Sequence, residues 1–138
     1  MQPKRNGKGL MRNNGVLPDT CAWIEYFKPG GSPLKLSLEK LLLSDSVFIC
    51  GPILYELTQG FRSDKERAGV TDALKCLEYV EMSEALWLKA GELSSTLRKA
   101  GKTIPFSDIL IASIAIDKNL AILSIDKHFA EIEGVNIF

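Results

Sequence analysis

The stretch SDILIASIAIDKNLAILSID, residues 107–126, decides the fold. Ile109, Leu110, Ile111, Ile114, Ala115 and Ile116 leave almost no polar side on a helix from Ser107 to Lys118, so that helix must be covered on more than one side. Leu120-Ala121-Ile122-Leu123 follows as a short apolar strand. A buried helix feeding a buried strand is the repeating unit of a parallel sheet with helices on both faces.

Working outward, the same alternation recurs. Val16-Leu17 is an apolar entry strand, and Pro18-Asp19-Thr20 turns it into a short helix through Ala22, Trp23, Ile24, Tyr26 and Phe27, which Lys28-Pro29-Gly30-Gly31 stops. Leu34, Leu38, Leu41 and Leu42 recur at helical spacing. Val47-Phe48-Ile49-Cys50 is a second buried strand, and Pro52 suits the first turn of a helix running through Ile53, Leu54, Leu57 and Phe61. Another helix passes through Ala68, Ala73, Leu74 and Leu77, with a third strand over Tyr79-Val80-Glu81-Met82. Ser83 caps a long helix whose inner face is Leu86, Ala90, Leu93 and Leu97, and Gly101 stands where a terminating glycine belongs. After the strand at 120–123 come a short helix from Lys127 to Ile132 and an edge strand from Val135 to Phe138. The expected fold class is therefore α/β, three layers around a parallel sheet of about five strands.

The chain of 138 residues fits one domain, here placed at residues 14–138. Its apolar runs fall well short of the ~20 residues of a membrane span, so no membrane partner is expected. Residues 1–13 hold Lys4, Arg5, Lys8 and Arg12 and no acid; they read as a disordered basic tail or an artefactual extension, with Met11 a candidate start, and they lack the apolar core of a secretory signal. The whole chain carries 17 basic and 17 acidic residues, so removing those four leaves residues 14–138 at −4. A mildly acidic body excludes the broad basic footprint of a nonspecific nucleic-acid binder. Cys21, Cys50 and Cys76 have no paired spacing and read as reduced core thiols of a cytoplasmic protein. Trp23 and Trp87 likewise read as core packing.

In such a sheet, ligands gather beyond the carboxyl ends of the strands. Asp19 follows the first strand, Glu56 lies one helical turn beyond the second, Asp126 follows the strand at 120–123, and Asp108 opens the buried helix. Asp19 and Asp126 also fit helix N-caps, and Asp108 fits a first-turn acid. Together, four carboxylates repel one another unless a cation compensates, and oxygen-only ligands favour Mg²⁺ or Mn²⁺. Such a site suits hydrolysis of a phosphodiester by an activated water. His128, the single histidine, lies two residues past Asp126, within reach of a metal or substrate, although a surface role is the commoner one. Gly101-Lys102-Thr103 is not a phosphate loop, because Thr96 occupies the required earlier glycine position.

These residues resemble the PIN-domain ribonucleases, in particular the VapC toxins of bacterial and archaeal toxin–antitoxin pairs. Asp108-Ile109-Leu110-Ile111-Ala112-Ser113-Ile114-Ala115 resembles the family's D-x-x-I-A-x-x-A stretch, and Ser124-Ile125-Asp126-Lys127-His128-Phe129 its T-x-D-x-x-F close. Leu17-Pro18-Asp19-Thr20 resembles the opening strand and acid, and Glu56-Leu57-Thr58-Gln59-Gly60 the E-x-x-x-G helix. Over residues 16–138 the resemblance implies a sheet order of 3-2-1-4-5. It also implies a catalytic, metal-binding quartet of Asp19, Glu56, Asp108 and Asp126, with Mg²⁺ or Mn²⁺ for cleavage of single-stranded RNA. Thr20 and Ser124 are implied as supports of that site. A homodimer is implied, together with a VapB-like antitoxin that covers the groove near the first helices, where Trp23, Tyr26, Phe27 and Leu34 lie. His128 departs from the pattern, standing where many relatives have a further Asp. Two other classes fit parts of the same pattern. A PIN-like module could hold RNA or protein without cutting it, and a phosphoaspartate receiver shares the acidic pocket, but the two late acids and the strand order fit a receiver poorly.

Overall fold

The computed structural model describes residues 15–138; the tail reading for residues 1–13 lies outside them. The elements run β1 (Val16–Pro18), α1 (Thr20–Phe27), α2 (Pro33–Leu43), β2 (Phe48–Cys50), α3 (Gly51–Gln59), α4 (Asp64–Leu74), β3 (Glu78–Val80), α5 (Glu84–Lys99), α6 (Phe106–Lys118), β4 (Ala121–Leu123), a 3-10 turn (Lys127–Glu131) and β5 (Asn136–Ile137). Serines start three of the helices: Ser32, Ser63 and Ser83 each accept from the amide three residues on, satisfying donors that a helix start leaves bare. Gly101, at a φ of +78°, follows α5 in the left-handed region where a side chain is disfavoured.

All strand pairs are parallel. β1 pairs with β4 and β4 with β5, while β2 pairs with β3. The strands thus form two sheets, β1-β4-β5 and β2-β3, rather than the one continuous sheet of order 3-2-1-4-5 that the resemblance implies; a single bridge, Val16 to Val47, lies between them. The seam has a cause in the sequence. Val16 donates its amide to Ser46 O at 2.8 Å, and two residues on, the next position facing β2 is Pro18, which has no N–H to give. The ladder between β1 and β2 therefore stops after one rung.

Successive residues Val16 and Leu17, Ile49 and Cys50, and Ile122 and Leu123 are all buried, so both faces of the sheet are covered. From Asp108 to Ala115 every residue of α6 is buried, as its all-round apolar surface requires.

Several details differ from the sequence reading. α3 ends at Gln59 and leaves Phe61 beyond it, and α4 ends at Leu74, short of Leu77. β3 starts at Glu78 and stops at Val80 because its partner β2 offers only three residues. Trp87 is not core: it is 47% exposed and stacks on Phe106 with ring centroids 6.5 Å apart. Leu86, Ala90 and Leu97 form the buried stripe of α5, and Trp87 sits a residue off it. Trp23 is buried, so on α1 it is Ile24 and Phe27 that bring apolar surface outside. Of the cysteines, Cys50 alone is core; Cys76 is exposed and Cys21 is half-buried near the acidic residues.

Candidate active site

Asp19 is the N-cap of α1, and its position is fixed by two donors: the Thr20 amide at 2.7 Å on Oδ1 and the Ser124 hydroxyl at 2.9 Å on Oδ2. Ser124 also accepts the Asp126 amide at 2.9 Å, so one hydroxyl ties the end of β1 to the end of β4. The capping role and a ligand role are compatible, because a carboxylate has more lone pairs than a cap uses. Glu56, on the second turn of α3, receives one hydroxyl on each oxygen, Thr20 Oγ1 at 2.5 Å and Ser107 Oγ at 2.8 Å. These bonds hold a carboxylate from α3 against α1 and α6. Asp108 stands in the first turn of α6, and Asp126 caps the 3-10 turn through the His128 amide at 2.9 Å.

The structure brings the four acids into one electrostatic neighbourhood. Burial pushes the Asp19 carboxyl above its ordinary range despite its two donors, and the charges of Glu56 and Asp126 add to the rise. Burial pushes Asp108 up to about 6, with Asp126 and Asp19 contributing and His128 opposing. The His128 ring is raised in turn, chiefly by its hydrogen bond to Asp108. Burial also raises the thiols of Cys21 and, to about 12, Cys50, which leaves both as thiols rather than nucleophiles. Among the described residues, no lysine or arginine pairs with Asp19, Glu56, Asp108 or Asp126; the only basic partner is His128. Buried and half-buried like charges without a lysine or arginine counterpart fit a divalent cation, and hard oxygen donors suit its chemistry.

Ser107 was not singled out from sequence as a contributor, whereas His128 was placed within reach of a metal or substrate. Ser107 directly precedes Asp108, and its role depends on a partner 51 residues away. The inward turn of His128 depends on Asp108, 20 residues earlier.

The sequence profile of the PIN domain matches residues 16–135. The chain belongs to the PIN-domain family. Among similar curated proteins, Ribonuclease VapC11 of Mycobacterium tuberculosis is 29% identical over 118 residues, spanning 83% of this PIN chain and 88% of the relative. VapC ribonuclease Mb1587 of Mycobacterium bovis matches to the same extent. Among solved structures, VapBC2 from Rickettsia felis, bound to a DNA fragment from its promoter, has a chain that superposes with a TM-score of 0.77 at 23% identity, covering 89% of this chain and 96% of that one. DNA-bound VapBC from Salmonella typhimurium superposes with a TM-score of 0.75 at 23% identity, covering 90% and 96%. These superpositions establish a shared PIN fold across nearly all the described chain.

Proposed function

We propose that this PIN domain, placed at residues 14–138, is a metal-dependent endoribonuclease and the toxin of a VapBC-type pair. The observation that carries the reading is that Asp19, Glu56, Asp108 and Asp126 lie close enough for their charges to act on one another, with ligand atoms of Asp108, Asp126 and His128 within 4.8 Å, and without a lysine or arginine counterpart. In this reading all four are catalytic residues and ligands for Mg²⁺ or Mn²⁺. A cation bound there would supply charge neutralisation at the scissile phosphate and lower the pKa of an attacking water. The chain's own residues supply the positioning. Ser124 and the Thr20 amide aim Asp19, the Thr20 and Ser107 hydroxyls aim Glu56, and the backbone of the 3-10 turn aims Asp126.

RNA is the proposed substrate because similar curated proteins are named ribonucleases, and a metal-activated water would cut it without a histidine, cysteine or serine nucleophile. The test is incubation of total cellular RNA with purified protein in Mn²⁺ or EDTA, followed by mapping of new ends. Discrete ends that require metal are expected; RNA retained intact in Mn²⁺ would favour the non-catalytic binding module instead.

Removing both hydroxyls from Glu56, in a Thr20→Val/Ser107→Ala variant, is expected to weaken Mn²⁺ binding and cleavage by about 10- to 100-fold, the usual effect of losing the groups that orient a ligand. Isothermal titration with Mn²⁺ beside a thermal melt separates this from misfolding, because the melt should move by only a few degrees.

A VapB-like antitoxin is the proposed partner. The names of the relatives support it, as does a groove of about 500 Å³ between α1, α3 and α4, where Ile24, Phe27, Phe61 and Arg62 lead to Glu56. A homodimer is proposed as well. Tyr55, Tyr79, Trp87 and Phe106, all well exposed, border a cavity of about 710 Å³, and association would remove this aromatic surface from water. Trp87→Arg is expected to turn a dimer into a monomer in sedimentation, with the melt of the monomer otherwise cooperative. No helix among the described residues is long and apolar enough to cross a membrane; with free cysteines throughout, a cytoplasmic location is proposed.

A further inference from the structure

His128 is the residue that least resembles an all-carboxylate site. Its backbone amide completes the cap on Asp126, a task that asks nothing of the ring. The ring nevertheless turns inward: Nδ1 lies 3.0 Å from Asp108 Oδ2 and 2.9 Å from Asp126 Oδ1, and the ligand atoms of all three residues fall within 4.8 Å of one another. An octahedral cation with ligands at about 2.1 Å sets adjacent ligand atoms about 3.0 Å apart. Nδ1 already stands at that spacing from one oxygen of each carboxylate. Asp108 and Asp126 each engage the ring through one oxygen, and the other oxygen of each makes no hydrogen bond among the described residues. The His128 side chain is 39% exposed, which leaves the cluster open to exchange with solvent.

Resting on the metal-dependent reading above, we infer that His128 is itself a ligand through Nδ1, so that the site combines one imidazole nitrogen with carboxylates and prefers Mn²⁺ to Mg²⁺ more strongly than an all-oxygen site would. A neutral imidazole carries its proton on Nε2 and offers Nδ1 to the cation. Imidazole suits the transition metals, whereas Mg²⁺ selects oxygen. An imidazole here supplies a softer donor without adding a negative charge, trading Mg²⁺ affinity for selectivity.

Pulsed electron paramagnetic resonance on the untagged full chain loaded with Mn²⁺ tests this directly. The chain contains one histidine, so a directly coordinated imidazole ¹⁴N coupling has a single source. That coupling is expected in the wild type and absent in His128→Asp, which keeps a ligand at the position but removes the nitrogen. Displacement of Mn²⁺ by Mg²⁺, followed through the free Mn²⁺ signal, should show the Mn²⁺ preference falling by roughly tenfold in His128→Asp. Bound Mn²⁺ with no nitrogen coupling, or an unchanged preference in the variant, overturns the His128 assignment and leaves the metal site standing. Failure of the wild type to bind millimolar Mn²⁺ overturns both.

Discussion

Asp108→Asn is expected to lose metal-dependent RNA cleavage by at least about a thousandfold, some 4 kcal/mol of transition-state stabilisation, while melting at or above the wild-type temperature. The two halves of this result have one origin. Asp108 is 7% exposed, and burial raises its carboxyl to about 6 from an ordinary 3.8. Above pH 6 its negative charge therefore opposes folding by on the order of 2–3 kcal/mol when no cation is bound. Asparagine removes the charge and keeps an oxygen for the His128 ring to approach, at nearly unchanged volume. A gain of several degrees in the metal-free melt is expected at pH 7.5, and none below about pH 4, where the acid is already neutral. Cleavage retained by the variant would remove Asp108 from the site. A melt lowered by several degrees would make its role structural.

The second large effect is an inversion of pH dependence by Mn²⁺. Asp108 and Asp19 both have raised folded-state values, so the native state holds their protons more tightly than the unfolded chain does. Stability of the metal-free protein must then fall as pH rises from about 4 through about 6. His128, also raised, contributes stability that is lost as pH rises further, in the same direction. Saturating Mn²⁺ binds the deprotonated carboxylates and rewards their ionisation. At a hundredfold excess over Kd the folded state gains about 2.7 kcal/mol, roughly 10 °C at about 4 °C per kcal/mol for a chain of this size. Melts at pH 5, 6, 7 and 8, with EDTA or Mn²⁺, should slope down in the first series and up in the second. Asp108→Asn should lose most of the difference; equal metal shifts in both proteins would place binding elsewhere.

Most of the architecture was legible because it follows from local pattern. α6 had no polar face to leave outside, and Ser83 and Gly101 marked the ends of α5 by cap chemistry alone. Asp19, Glu56 and Asp126 were legible as candidates because parallel strands deliver whatever follows them to the same edge. What escaped the sequence depends on contacts between distant segments. The ring of His128 turns toward an acid on another element, and Ser107 finds Glu56 across the gap between α6 and α3. Trp87 shares its helix with a buried stripe, and only the packed neighbours decide that it lies beside the stripe rather than in it. The limit of β1 is of the same kind: Pro18 is visible in the sequence, but which neighbour it fails to bond depends on register.

That missing rung has a consequence for how the acidic cluster holds together. Asp19, Asp108 and Asp126 belong to the portion of the molecule built on β1, β4 and β5, whereas Glu56 rides on α3, which springs from β2 on the far side of the one-rung seam. Little backbone hydrogen bonding joins the two portions, so side chains carry the connection, chiefly one buried core that includes Val16, Ile122, Ile49 and Ile53. The Thr20 and Ser107 hydroxyls reach Glu56 from the side of the three aspartates and tie the two portions together at the acidic cluster. The quartet is thus completed by side-chain bonds across the seam rather than by the sheet itself.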